Sequence, residues 1–155
     1  MSSEPASDLT LIHNAQIYAP RHLGLGALLL GGGRILWLGG EAPRLDRSLG
    51  ARTVDLEGRR LLPGLIDGHA HLTGGGGEAG FASKVPAPQL TAYTLAGVSS
   101  VIGVLGTDDC TRSTAELLAR TRALREEGLS AWCLTGGYHL PPTTLSGTVR
   151  GDIVH

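Results

Sequence analysis

Glycine spacing constrains this chain more than any other feature. The 24 glycines among its 155 residues do not form a low-complexity tract; they punctuate short apolar runs. That is the pattern of short strands joined by tight loops. Residues 27–30 and 34–38 are β-type runs on either side of Gly31-Gly32-Gly33, and glycines that accept positive φ make a hairpin of them. Residues 9–18 (LTLIHNAQIY) read as a first strand ended by Pro20, and residues 53–56 read as another. Residues 1–8 read as a disordered lead-in. Residues 1–60 thus form an all-β region, too small to bury a sizeable core alone and expected to pack against something C-terminal.

From residue 61 onward the pattern becomes an alternation of strand and helix. Residues 88–96 form a short helix closed by Gly97, and residues 98–105 (VSSVIGVL) read as a strand buried on both faces. Ser113-Thr-Ala-Glu116 is a capping box. It opens a helix in which Leu117, Leu118, Thr121 and Leu124 recur at helical spacing and which Gly128 stops. Residues 129–134 supply a third strand and residues 149–155 the beginning of a helix. Such repeats predict an α/β fold with a parallel sheet and right-handed crossovers. A complete (β/α)8 barrel takes about 250 residues. Residues 61–155 are therefore expected to be the first three β/α units of an incomplete TIM-type barrel, in a truncated chain.

Chemistry is concentrated in residues 61–80 (LLPGLIDGHAHLTGGGGEAG). Residues two apart on a strand share a face, so His69 and His71 project together. Two imidazoles can close on one cation, and a zinc-like ion with an open position for water suits them. A His-x-His pair alone is more often a surface pair than a ligand pair; the apolar strand before it and the glycines after it favour the ligand reading. Two more loops follow strands: Gly106-Thr107-Asp108 and Gly136-Gly137-Tyr138. All three end on one rim of a parallel sheet, where barrel enzymes build their sites. Taken singly, Thr107 reads as a capping threonine, Tyr138 as an interface tyrosine and His139 as a satisfied structural histidine.

Several function classes are disfavoured. The formal net charge is −1 with no basic run, so there is no electrostatic footprint for nucleic acid. No apolar stretch approaches the roughly 18 residues of a membrane span, and MSSEPASDL carries no signal pattern. A cytoplasmic protein is expected, with Cys110 and Cys133 as reduced thiols. Residues 75–80 formally match GxGxxG, which would make a dinucleotide-binding module. Residues 95–100 lack the ribose-binding acid, however, and Glu78 would point a negative charge at the phosphates.

The β-rich start followed by LLPGLIDGHAH resembles the metal-dependent amidohydrolase superfamily, in which a barrel carries a small β-sandwich. More narrowly, HAHLTGGGGEAG (69–80), GVLGTD (103–108), TRALREEGLSAW (121–132) and TGGYHLP (135–141) are similar to its isoaspartyl dipeptidase (β-aspartyl peptidase) branch. The likeness runs from about residue 9 to the end. It implies that residues 1–60 are part of a β-sandwich and that His69 and His71 bind the first of two zinc ions. Gly76, Gly77, Glu78 and Thr107 would contact a small dipeptide, Glu78 facing its α-ammonium group, and the catalytic Tyr138 would polarise the scissile carbonyl. The implied reaction is zinc-assisted hydrolysis of β-aspartyl dipeptides by a cytoplasmic homo-oligomer. Another amidohydrolase activity, cyclic amide hydrolysis or deamination, stays open, as does a non-catalytic fragment. The family's carboxylated bridging lysine, second pair of histidines and general-base aspartate have no match here; the single lysine, Lys84, is misplaced for the bridge. This chain by itself is therefore expected to hold half a site and to be inactive.

Overall fold

A computed structural model of the chain describes residues 8–154. The expected lead-in lies, apart from Asp8, outside the described residues, as does His155. The fold is mixed α/β and divides into two compact units, Met1–Pro63 and Gly64–His155.

The first unit is one sheet built from β1 (Thr10–Tyr18), β2 (His22–Gly31), β3 (Arg34–Gly39), β4 (Arg52–Asp55) and β5 (Arg60–Leu61). Its order is β3-β2-β1-β4, with β5 also on β1. The β2–β3 hairpin turns on Gly32 and Gly33, at φ 57° and 68°, the left-handed pair that a two-residue hairpin turn requires. β2 begins five residues earlier than the apolar run alone predicts. Its first half alternates leucine with glycine, and there it pairs antiparallel with the end of β1, Gly24 opposite Ile17 and Gly26 opposite Ala15. β4 and β5 run parallel to β1. The unit's core uses small or medium side chains, Leu11, Ala15, Ile17, Ala27 and Leu28.

The second unit contains β6 (Leu65–Ala70), α1 (Leu90–Leu95), β7 (Val98–Gly103), α2 (Thr114–Glu126), β8 (Ser130–Cys133) and α3 (Val149–Val154). The three strands form a parallel sheet in the order β6-β7-β8. α2 starts where the capping box places it: Ser113 is the N-cap and its Oγ accepts the Glu116 N–H at 3.1 Å. Gly128, at φ 95°, ends the helix while the Leu129 N–H returns to the Leu124 carbonyl at 2.9 Å. Its inner face buries Leu117, Thr121 and Leu124 against Leu72, Val101 and Leu105. The buried Thr121 hydroxyl costs little there, because it donates to the Leu117 carbonyl at 2.8 Å.

Burial of the strands is less symmetrical than their apolar runs imply. On β7 and just beyond it, Val101 and Leu105 are buried on one face, whereas Ile102 and Val104 are half-buried on the other. β6 is an edge strand, and Leu65 and Ile66 are 60% and 72% exposed. A parallel strand is buried on both faces only when helices or a closed barrel cover both; in this unit α1 and α2 cover one.

Leu124→Ala should cost about 2–5 kcal/mol, the usual range for a core leucine. Ser113→Ala should cost about 1 kcal/mol through the lost cap. Urea melts of the two variants test this, since equal losses would mean that α2 is not docked through Leu124.

Candidate functional site

The site begins where β6 loses its regular pairing. Asp67 pairs with Val101 and Ala70 with Gly103, so the register is irregular over Gly68 and His69. Asp67 Oδ1 accepts the His69 N–H at 3.0 Å, which satisfies a donor that the irregularity would otherwise strand. The rings of His69 and His71 then lie edge to face, with centroids 5.3 Å apart. Gly106 seats the second ring. At φ +84° it occupies left-handed space, and a Cβ there would sit 2.7 Å from Cε1 and Nδ1 of His71. Only glycine meets both demands.

The glycine loop is held by a residue that motif reading passes over. Arg112, whose side chain is 9% exposed, donates Nε to the Thr73 carbonyl at 3.2 Å, Nη2 to Gly75 at 2.9 Å and Nη1 to Gly76 at 3.3 Å. Its charge faces Asp108 at 3.6 Å. Asp108 also pairs with Lys84 at 2.7 Å and accepts the Thr111 N–H at 3.0 Å. The hydrogen bond from Lys84, then those from the Thr111 side chain and backbone, hold the Asp108 carboxyl far below its ordinary range. Lys84 is thus committed to structure.

This clamp presents Glu78. Thr107 Oγ1 donates to Glu78 Oε1 at 2.6 Å. That bond leads the causes that lower the Glu78 carboxyl, followed by its own backbone N–H and, more weakly, by the charges of His71 and Arg112; partial burial opposes them. Gly77 lines a smaller neighbouring pocket with Glu78 and Thr107, while His69, His71, Glu78, Thr107 and Tyr138 line one groove of about 310 Å³. Gly76 does not line it, because its carbonyl is turned to Arg112. Tyr138 is 77% exposed at the groove, and its hydroxyl makes no hydrogen bond to a described residue.

Sequence reading also passed over Asp109, which contacts the loop after β8. The available signal was thin: Arg112 is the one arginine in the small, polar loop before α2, and Asp109 is the second of two adjacent acids.

The donor set fits part of a metal centre. His71 Nδ1 is buried without a hydrogen-bond partner, and a paired imidazole set is what zinc takes. Among the described residues no group of three or more histidine, cysteine or acidic side chains could hold an ion. No helix of the described residues is long and apolar enough to cross a membrane.

Residues 52–108 match the model of the Amidohydrolase family. The imidazolonepropionase of Cupriavidus necator is 34% identical over 147 residues, covering 90% of this chain and 35% of that protein. The imidazolonepropionase of Cupriavidus taiwanensis is 37% identical over 119 residues, or 74% of this chain and 28% of that protein. A crystal structure of the β-aspartyl dipeptidase from Fervidobacterium islandicum AW-1, in complex with β-Asp-Leu dipeptide, superposes with a TM-score of 0.85 at 37% identity. It covers 96% of this chain and 38% of that one. The chain therefore carries an amidohydrolase-superfamily domain segment, and it spans about a third of the length of the relatives it matches.

Because the Asp108 carboxyl is lowered on folding, its contribution is complete above the ordinary value of 3.8 and is lost as pH falls below it. Asp108→Asn should lower stability at neutral pH, and the gap to wild type should narrow once the pH drops below 3.8. Urea midpoints across that range check the sign; a gap that widens in acid would contradict it.

Proposed function

We propose that the protein is a zinc-dependent hydrolase of β-aspartyl (isoaspartyl) dipeptides, in which this chain supplies one part of the active site. The observation that carries this reading is the meeting of Glu78, primed by Thr107, with the His69–His71 pair in one groove. A carboxylate held ionised is the natural partner of a substrate α-ammonium, and the β-Asp-Leu complex of the Fervidobacterium relative supports the same substrate class.

In this reading His69 and His71 hold a zinc ion, which when bound brings the pKa of water close to neutrality. The protein's own groups do the rest. Glu78 and the backbone beside Gly77 fix the amino end of the dipeptide, and Thr107 keeps the Glu78 carboxylate turned into the groove. Tyr138 donates its O–H to the carbonyl oxygen as negative charge develops there. The three parallel strands are the opening of a (β/α)8 barrel, and the first unit belongs to its attached β-sandwich. Two imidazoles fall short of the three protein ligands of a catalytic zinc, so residues 1–155 alone should not turn over.

A second reading follows from the curated relatives, whose name points to an imidazolone ring, a cyclic amide. Assaying the full-length, zinc-loaded protein on both substrate types separates the two. Turnover of β-aspartyl dipeptides is expected; turnover of imidazolonepropionate alone would overturn the first reading.

Glu78→Gln should leave the zinc content unchanged and lower kcat/KM for β-aspartyl dipeptides about tenfold or more, since a charge-assisted contact becomes a neutral one. An analogue without the α-ammonium group should lose less. Wild-type kinetics in the variant would remove Glu78 from the role.

A further inference from the structure

We propose that Asp109 and His139 form a positioning pair that fixes Tyr138, a role that rests on Tyr138 being the carbonyl-polarising phenol of the proposed reaction. The loop after β7 is thereby tied to the loop after β8 across 30 residues of sequence. Asp109 Oδ1 meets His139 Nδ1 at 2.6 Å. The two side chains differ sharply in exposure: that of His139 is 65% exposed, whereas that of Asp109 is only 4% exposed.

An incidental surface pair would leave the carboxylate in water. Here it is withdrawn, which is costly for a charge unless hydrogen bonds compensate. Oδ2 is buried and makes no hydrogen bond among the described residues, so the compensation comes through the other oxygen, chiefly from His139 at 2.6 Å and secondarily from the Cys110 thiol at 3.9 Å. Burial pushes the Asp109 carboxyl up, but the imidazole hydrogen bond, the charge and the backbone of His139 outweigh it and the net direction is down. Asp109 is thus an anion held chiefly by His139.

The same carboxylate residue also seats Gly137. A Cβ on Gly137 would lie 2.7 Å from the Asp109 Cβ and 2.9 Å from its Cγ, so the glycine backbone lies directly against the acid. Asp109 therefore contacts both neighbours of Tyr138, residue 137 by close packing and residue 139 by a hydrogen bond. Tyr138 is 77% exposed and its hydroxyl makes no hydrogen bond among the described residues. The placement of its phenol is left to the backbone that Asp109 grips.

The test uses the full-length, zinc-loaded protein with β-aspartyl-leucine as substrate. His139→Ala should lower kcat by about 10- to 100-fold through misplacement, with little change in KM. His139→Asn, whose amide nitrogen can occupy the place of Nδ1, should recover most of the loss. In a cycle with Tyr138→Phe, the double variant should be no slower than Tyr138→Phe alone. As a readout apart from activity, 3-fluorotyrosine is incorporated and the Tyr138 fluorine resonance is assigned by its loss in Tyr138→Phe. That resonance should shift in His139→Ala and return in His139→Asn. An unmoved resonance, additive losses, or no recovery by asparagine would overturn the positioning pair. Absence of dipeptide turnover in wild type, or full activity in Tyr138→Phe, would instead remove the functional reading, and the fluorine resonance would then decide the positioning pair alone.

Discussion

The site depends on one guanidinium. Consecutive glycines let the chain after His71 fold tightly, but residues 74–77 contribute no side chains to hold that shape, and their carbonyls need donors. Arg112 answers with a flat fork that reaches three successive segments of the loop at once. Lysine could supply the charge but not the fork. Asp108 neutralises the arginine and recruits Lys84 from the far end of the same loop. Glu78 and Thr107 owe their contact to this clamp, since one sits on the clamped loop and the other immediately precedes Asp108.

Local rules made much of this legible. The glycine hairpin, the capping box and the strand–helix alternation depend on near neighbours in sequence, and each lies within a few residues of its expected place. The His-x-His pair was legible too, although the irregularity at Gly68 and His69 and the carboxylate of Asp67 that stabilises it were not. Long-range choices stayed hidden. Arg112 acts on carbonyls 36 to 39 residues away, and little in its own neighbourhood marks it. Asp109 looks like the twin of Asp108, yet one closes the glycine loop and the other reaches the loop after β8. Gly76 illustrates the reverse: the family resemblance implied a substrate contact for it, whereas its carbonyl accepts from Arg112 in the clamp. The exposed face of β6 was illegible because an apolar run records what a strand can bury and not which neighbours cover it.

The sequence and structural likenesses differ in emphasis, toward imidazolonepropionases in one case and a β-aspartyl dipeptidase in the other. This is what shared scaffolds produce, because strands and ligand histidines are common property and the loops between them select the substrate. In this chain an acid held by a threonine hydroxyl lies on such a loop.

Gly106 adds a constraint on how the site can change. It lies against the imidazole of His71 and immediately precedes Thr107. Insertion, deletion or substitution in this short connection moves the floor under the His71 ring and the wall of the groove together. The shape of the groove and the seat of the imidazole are therefore mechanically geared here.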